Sequence, residues 1–292
     1  MLADSLSLSG LKIHNNISVY FSKENAKVWE LSLNKKQTFI KKYHQFIAQD
    51  YIDGFHALEF DSKEIPTLDR LNFCIEATGW KVVYVEGYLR QNDYGQFLSQ
   101  KVVPISRYMR SLEHLNYAPG PDMLHDIFGH LPMIFSPSYS NYLYALGKIM
   151  SRTYANSLEN ALYHLHIKLA DAHEEFGGDH PQTLEIEKEI KKVEHSIDKS
   201  PSMYTLLGRF FIWTIEFGVL LNHEKKPQMY GAGLLSSEDE AILFCEGKTK
   251  TVPFTKAATR IDFDFSSFQK QLFFAESYQS LSDQLEFLVA QS

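Results

Sequence analysis

Two histidines lie five residues apart in the segment PGPDMLHDIFGHLP, residues 119–132. Imidazole nitrogens are good ligands for iron, zinc and copper. Five residues on an ideal α-helix advance about 140° past a full turn, so His125 and His130 would not share a face. A shared metal ion therefore requires a distorted turn, which Gly129 and Pro132 are placed to allow. On spacing alone, two structural histidines remain an alternative, and the HExxH motif of a zinc hydrolase is absent.

One acidic residue interrupts the apolar run FFIWTIEFGV at residues 210–219. A buried carboxylate must be paired, protonated or bound to a metal, and no lysine or arginine lies nearer in sequence than Arg209. Two histidines and one carboxylate form the facial triad of non-haem iron(II) oxygenases. The sequence therefore predicts Glu216 as a third ligand beside His125 and His130. The alternative is a glutamate that pairs with a distant arginine or caps a helix.

The composition limits the class of protein that could carry this site. The 292 residues carry a net charge of −7, which argues against a nucleic-acid partner. No apolar stretch reaches transmembrane length and no signal peptide is evident, so we expect no membrane association. Cys74 and Cys245 are too far apart for a disulfide framework or a thiolate zinc site. A cytoplasmic location follows as an expectation.

The elements that must position these residues are predicted to be mainly helical. A helix after the Thr67 cap should stop at Gly79, and the run WKVVYVEG (80–87) is typical of a short strand. A helix should begin after Ser136, and a last helix should begin at a Ser280 cap. No linker rich in Pro, Gly or Ser divides the chain, so residues 1–292 are predicted to form a single domain.

A helical hairpin is predicted at about residues 154–200. Leucines from Leu158 to Leu169 and isoleucines from Ile186 to Ile197 recur at three- and four-residue spacing among charged residues. Gly177 and Gly178 break the pattern between them. Packing alone explains such a pattern, and a surface for a partner or a second subunit is the alternative.

Three segments together resemble one known family. They are PGPDMLHDIFGHLPM (119–133), FIWTIEFGVL (211–220) and MYGAGLLSSEDE (229–240). In type, order and spacing they are similar to the pterin-dependent aromatic amino acid hydroxylases, most closely to their bacterial phenylalanine 4-hydroxylase branch. The resemblance implies a mainly helical catalytic domain with a few short β-strands, into which the hairpin is inserted. It also implies one iron(II), tetrahydrobiopterin or a related tetrahydropterin, and O2 as co-substrate.

The resemblance assigns roles to individual residues. His125, His130 and Glu216 correspond to the iron ligands, and the Arg110 guanidinium to the group that binds the substrate carboxylate. Further residues correspond to substrate-binding positions: Ile212, Phe217, Gly233 and Ser236. On the pterin side the corresponding positions are Gly87, Leu89, Tyr94, Asp126 and Phe211, with Tyr94 as the stacking ring. Asp126 replaces the usual glutamate and Phe211 a common tyrosine.

Departures from the family fall in the substrate pocket. Ile212 stands where phenylalanine and tyrosine hydroxylases carry tryptophan, and Ala118 and Gly120 replace the threonine and glutamate of TPEPD. The resemblance implies hydroxylation of L-phenylalanine to L-tyrosine, with tryptophan or tyrosine as alternative substrates. A non-catalytic relative that acts as a binding or regulatory module is a further alternative. A monomer or a dimer is expected, with the hairpin as a candidate interface.

Overall fold

Helices make up most of the chain. The computed structural model describes residues 12–14, 21–87, 89–115, 122–263 and 267–290. Ala118 and Gly120 lie outside the described residues. The α-helices are α1 (Lys23–Tyr43), α2 (Gln49–Ala57), α3 (Leu68–Ile75), α4 (Gln91–Leu98), α5 (Met123–His125), α6 (Leu131–Ile134), α7 (Pro137–Met150), α8 (Ser157–Phe176), α9 (Pro181–Lys199), α10 (Met203–Phe211), α11 (Ala232–Ser236), α12 (Glu238–Cys245) and α13 (Tyr278–Ala290). None of the described helices combines the length and the apolar character that crossing a bilayer requires.

Short strands form two small sheets at the margins of the helical body. The strands are β1 (Lys12–His14), β2 (Lys81–Glu86), β3 (Val102–Ser106), β4 (Gly218–Leu221), β5 (Pro227–Met229), β6 (Lys250–Pro253) and β7 (Gln271–Ala275). One sheet has the order β1-β2-β3, and the other has the order β5-β4-β7-β6. In the first sheet β2 pairs in parallel with β3. The prediction of a mainly helical fold with a few short strands is therefore confirmed.

Most of the predicted element ends lie where the cap residues indicated. The Thr67 side chain accepts a hydrogen bond from the Arg70 N–H at the start of α3, and Gly79 has a φ of 74° after its end. The predicted cap of the last helix was wrong. The helix begins at Tyr278, because the Ser277 hydroxyl accepts from the Ser280 N–H at 3.1 Å and so caps it three residues earlier than predicted.

The predicted hairpin is present as α8 and α9. Asn156 caps α8 with a reciprocal bond to Glu159, and Gly177 ends it in a left-handed conformation with a φ of 82°. Pro181 occupies the first turn of α9. The chain enters and leaves the hairpin between α7 and α10, so the hairpin lies between the two histidines and Glu216 in sequence.

Aromatic residues form much of the core. One cluster joins α1, α2 and the histidine segment through ring contacts of Trp29, Tyr51, Phe55, Phe60 and Phe128. A second cluster joins α7 and α13 to the residues after β5 through Tyr139, Tyr142, Tyr230 and Tyr278. Much of the high Phe and Tyr content therefore packs into these two aromatic clusters.

A glycine allows α2 to cross the histidine segment in direct backbone contact. A Cβ atom added at Gly54 would lie 1.9 Å from the carbonyl oxygen of Pro132, well inside contact distance. The Tyr51 hydroxyl on the same helix donates to the Phe128 carbonyl at 2.7 Å. This crossing therefore fixes α2 against the residues on either side of His130.

We predict that Gly54→Ala destabilises the fold by about 1–3 kcal/mol, because the new methyl group forces two backbones apart. The measurement is the free energy of unfolding in urea. The control is Gly178→Ala in the hairpin turn, where the added Cβ meets only a His173 ring atom at 3.3 Å. Equal losses in the two variants would contradict the role assigned to the crossing.

Candidate metal centre

His130 and Glu216 each end a π-helical turn, and His125 directly precedes the first of these turns. Residues Asp126–His130 and Ile212–Glu216 form such turns, each continuing an α-helix. The Phe217 N–H donates to the Ile212 carbonyl at 2.9 Å, which is the i to i+5 bond of a π turn. This bond pattern brings residues five apart onto one face, so the His125 and His130 rings lie 5.1 Å apart between centroids. The distorted turn expected from the spacing is present.

The three predicted ligands meet at one point. Nε2 of His130 lies 3.2 Å from Oε1 of Glu216, and Nε2 of His125 lies 3.4 Å from Oε2. One ligand atom from each residue lies within 4.8 Å of the other two. Among the described residues, this is the single group of three or more potential ligands close enough to share an ion.

The donor set fits a metal ion. Imidazole nitrogens and carboxylate oxygens bind such ions at about 2.0–2.2 Å, and the two His–Glu separations are short enough for one ion to contact both partners. All three side chains are largely buried, so the site is enclosed on the protein side. Two imidazoles and a carboxylate on one face would leave further positions of a six-coordinate ion open.

The pKa values of the two histidines shift in opposite directions. Burial lowers the pKa of His125 to about 4, so its ring is neutral near pH 7. Burial also acts to lower the pKa of His130, but the charge and hydrogen bond of Glu216 outweigh it, and that pKa is raised. Burial acts to raise the pKa of Glu216, and the two histidines lower it below its usual value. Without an ion, the hydrogen bond between His130 and Glu216 therefore stabilises the buried carboxylate.

Ser236 determines which nitrogen of His125 faces the site. The Ser236 hydroxyl donates its one proton to the Gly233 carbonyl at 3.1 Å and lies 2.9 Å from Nδ1 of His125. It must then accept a proton from Nδ1, which leaves a lone pair on Nε2. The backbone N–H of Gly233 donates to the Glu216 carboxylate. Ser236 and Gly233, both predicted from the resemblance, therefore contact the ligand side chains.

Close packing around Gly129 brings α11 onto the histidine turn. A Cβ at Gly129 would lie 2.8 Å from the Ala232 carbonyl oxygen, so a larger residue would push α11 away. Since α11 carries Gly233 and Ser236, this approach determines their distance from Glu216 and His125.

Arg110 is buried and holds Asp122. Its Nε and Nη2 donate to the two carboxylate oxygens at 2.8 and 2.7 Å, and Asp122 also accepts from the His125 N–H at 3.0 Å. The fork expected to bind a substrate carboxylate is thus bound to Asp122, and both N–H groups of Nη1 and the second N–H of Nη2 remain for another partner. Sequence reasoning missed Asp122, although its place as the N-cap residue three positions before His125 was a usable signal.

The predicted pterin residues divide into two groups. Tyr94 lies near the centre, with its ring 5.4 Å from Phe211 and 6.5 Å from His130. Asp126 accepts from the Ser106 N–H at 2.7 Å, and burial raises its pKa to about 7. Gly87 and Leu89 follow β2, and Leu89 packs against a small apolar cluster separate from the main core.

The remaining predicted pocket residues lie on the Glu216 turn. Ile212 is partly exposed, and Phe217 is buried with its ring 6.1 Å from that of Trp213. The two residues flank Glu216 along the chain, as the first residue of the π turn and the residue after it. Their role in a substrate pocket stays a prediction.

Comparison with known sequences identifies the family. The biopterin-dependent aromatic amino acid hydroxylase model matches residues 10–166 and 185–291. The chain belongs to this family. The unmatched residues between the two segments, 167–184, form the end of α8, the turn and the start of α9, a shorter stretch than the predicted insertion at about 154–200.

Individual relatives agree with this membership. The chain is 26% identical to phenylalanine-4-hydroxylase of Chromobacterium violaceum over 247 residues, covering 81% of this chain and 65% of that protein. It is 27% identical over 273 residues to phenylalanine-4-hydroxylase of Dictyostelium discoideum, covering 91% of this chain and 50% of that protein. The chain thus spans between half and two thirds of the length of these two relatives.

Solved structures share the fold. The apo phenylalanine hydroxylase of Colwellia psychrerythraea matches with a TM-score of 0.70 at 22% identity, over 96% of this chain and 94% of that one. A C. violaceum phenylalanine hydroxylase with bound iron(III) and 7,8-dihydrobiopterin matches with a TM-score of 0.69 at 24% identity, over 93% and 82%. At these identities the match concerns the fold.

We predict that Glu216→Gln weakens the binding of Co2+, used as a probe ion, by at least about 100-fold. Losing a residue that only hydrogen-bonds a metal ligand already costs about 10- to 100-fold in metal affinity, and the loss of a ligand itself should cost more. Isothermal titration of the metal-free protein measures it. The matched control is Glu240→Gln, another buried carboxylate, which accepts from the Gln269 N–H at 2.7 Å. Unchanged affinity in the Glu216 variant would remove this residue from the ligand set.

Proposed function

We propose that the chain is an iron(II)- and tetrahydropterin-dependent monooxygenase that hydroxylates the aromatic ring of L-phenylalanine to give L-tyrosine. The observation that carries the proposal is the buried set of His125, His130 and Glu216, whose ligand atoms lie within 4.8 Å of one another. Membership of the hydroxylase family and the names of the similar proteins support the substrate and the co-substrate. Bound iron would supply the activation of O2 that ring hydroxylation requires.

The side chains of this chain would bind and orient the reactants. Tyr94 and Phe211 offer aromatic faces for a pterin ring near His130, and stacking suits a flat heterocycle. Nη1 of Arg110 would bind the substrate carboxylate, with Asp122 holding the guanidinium rigid. Phe217 and Ile212 would pack against the substrate ring and exclude water. No side chain needs to act as a nucleophile.

The substrate preference rests on Ile212. A partly exposed aliphatic side chain at the Glu216 turn leaves more room than the indole that phenylalanine and tyrosine hydroxylases carry there. The second candidate function is therefore the same reaction on tryptophan or tyrosine. A non-catalytic binding module is disfavoured because the three-residue ligand set is intact.

An iron-loaded sample assayed with a tetrahydropterin and each aromatic amino acid tests the function. We expect tyrosine from phenylalanine, and we expect His130→Ala to abolish the product and reduce iron content sharply. His173→Ala, a substitution on an exposed hairpin histidine, should leave both unchanged. Full activity of the His130 variant would rule out the proposed centre. Iron-loaded wild type that hydroxylates none of the three amino acids would favour the binding module.

The hairpin is proposed to be an integral part of a single catalytic domain spanning residues 1–292. Glu159, 5% exposed, accepts hydrogen bonds from the hydroxyls of Ser202 and Thr205 at the start of α10. At the other end of the hairpin, Asp198 pairs with the buried Arg209. Both helices of the hairpin are thus tied to α10, which leads into the Glu216 turn.

We predict that Glu159→Ala lowers the free energy of unfolding by about 1–3 kcal/mol, because it leaves two partly buried hydroxyls without their acceptor. Urea denaturation should show one transition, shifted to lower denaturant. Glu185→Ala, on the exposed face of α9, is the control and should change stability by less than about 0.5 kcal/mol. Separate unfolding of the hairpin in the wild type would contradict a single domain.

The cellular compartment and the oligomeric state of the protein stay predictions. Both cysteines are free thiols, which favours a reducing compartment such as the cytoplasm. Apolar side chains exposed on the hairpin, Leu158, Phe176 and Leu184, keep it a candidate interface between copies. Sedimentation would distinguish a monomer from a dimer.

A further inference from the structure

A lysine ammonium is buried next to the metal centre. Lys36 on α1 is 3% exposed, and its Nζ donates to the Leu235 carbonyl. The same Nζ lies 3.3 Å from Oε1 of Glu238. Burial lowers the pKa of Lys36, while Glu238 acts to raise it. A buried ion pair is often no more stable than apolar residues of the same volume, so stability alone does not account for it.

The carbonyl that Lys36 binds belongs to the last turn of α11. Carbonyls at the end of a helix lack partners within the helix, and a lysine donor is a favourable partner for them. Leu235 directly precedes Ser236, whose hydroxyl is 2.9 Å from Nδ1 of His125. Only one peptide unit therefore separates the Lys36 contact from the residue that fixes the His125 tautomer.

Lys36 approaches Ser236 across a small cavity. Lys36, Glu238, Arg110 and Ser236 line one cavity of about 30 Å³, which is large enough for a single water. At this cavity Glu238 pairs with the Lys36 ammonium, and Asp122 pairs with the Arg110 guanidinium. The lysine therefore acts on the backbone behind Ser236, and it is not one of the candidate ligands.

We propose that Lys36 is a positioning residue of the metal centre, which holds the Leu235 carbonyl so that the Ser236 hydroxyl stays on Nδ1 of His125. The inference rests on the proposed metal site. It adds a residue of α1, far from the ligands in sequence, to the set that determines metal affinity.

The first test is Lys36→Met, which keeps the length of the side chain and removes the donor. We expect Co2+ to bind about 10-fold more weakly, the lower end for loss of an outer partner. Lys35→Met is the matched control, because Lys35 also faces Glu238, at 3.6 Å, but is 40% exposed. The control should change Co2+ affinity by less than 2-fold. Unchanged affinity in Lys36→Met would overturn the proposal.

A double-mutant cycle shows whether Lys36 acts through Ser236. If it does, Lys36→Met combined with Ser236→Ala weakens Co2+ binding no more than Ser236→Ala alone. Fully additive losses would mean that the lysine acts by another route, and the proposal would fail.

A second variant separates positioning from stability. Lys36→Met leaves Glu238 buried without its main partner, so Lys36→Met/Glu238→Leu removes both charges and should recover the unfolding midpoint. Co2+ affinity should stay low, because the Leu235 carbonyl still lacks its donor. Recovery of affinity together with stability would assign Lys36 a purely structural role.

The tautomer of the His125 ring reports on the role of Lys36, and it can be measured without bound metal and without enzyme activity. ¹⁵N NMR of the metal-free protein should show His125 protonated at Nδ1 in the wild type and a mixture of tautomers in Lys36→Met. A wild type with this signature that fails to hydroxylate any amino acid would count against the proposed function and not against the role of Lys36. An unchanged tautomer in the variant would count against Lys36 alone.

Discussion

The carboxylate of Glu216 is the constraint around which the structure is organised. It is surrounded by apolar residues of its own helix, and a buried charge is costly unless neighbours compensate for lost hydration. His130, His125 and the Gly233 N–H provide that compensation. These groups come from three separate parts of the chain. The tertiary fold therefore has to bring the three segments within hydrogen-bonding distance of Glu216.

Irregular backbone makes this meeting possible. On an α-helix the two histidines would point in different directions, whereas the π turn places both rings on the side facing Glu216. Such turns are rare and persist where packing on several sides holds them. Gly54 and Gly129 allow α2 and α11 to approach the histidine segment to backbone contact. The tight crossings thus keep in place a geometry that an isolated helix would not hold.

The hairpin is tied to the helix that leads into the Glu216 turn. It enters the chain between the histidines and Glu216, yet both of its helices are tied to α10 by polar contacts at Glu159 and Asp198. Because α10 runs directly into the Glu216 turn, these ties hold the turn in place across the insertion. The family match extends into both helices of the hairpin and leaves only residues 167–184 around its turn unmatched.

The sequence by itself determined the local features of this protein. Residue types at caps and breaks located the helix starts at Leu68 and Pro137, and apolar spacing located the hairpin, because these features depend on near neighbours along the chain. Glu216 was also identified from its near neighbours along the chain, because it is the one acidic residue in an apolar run. Only the tertiary structure decided what the side chains contact. That the Arg110 fork binds Asp122, and that Lys36 lies behind Ser236, depends on packing between elements distant in sequence, which no local pattern encodes.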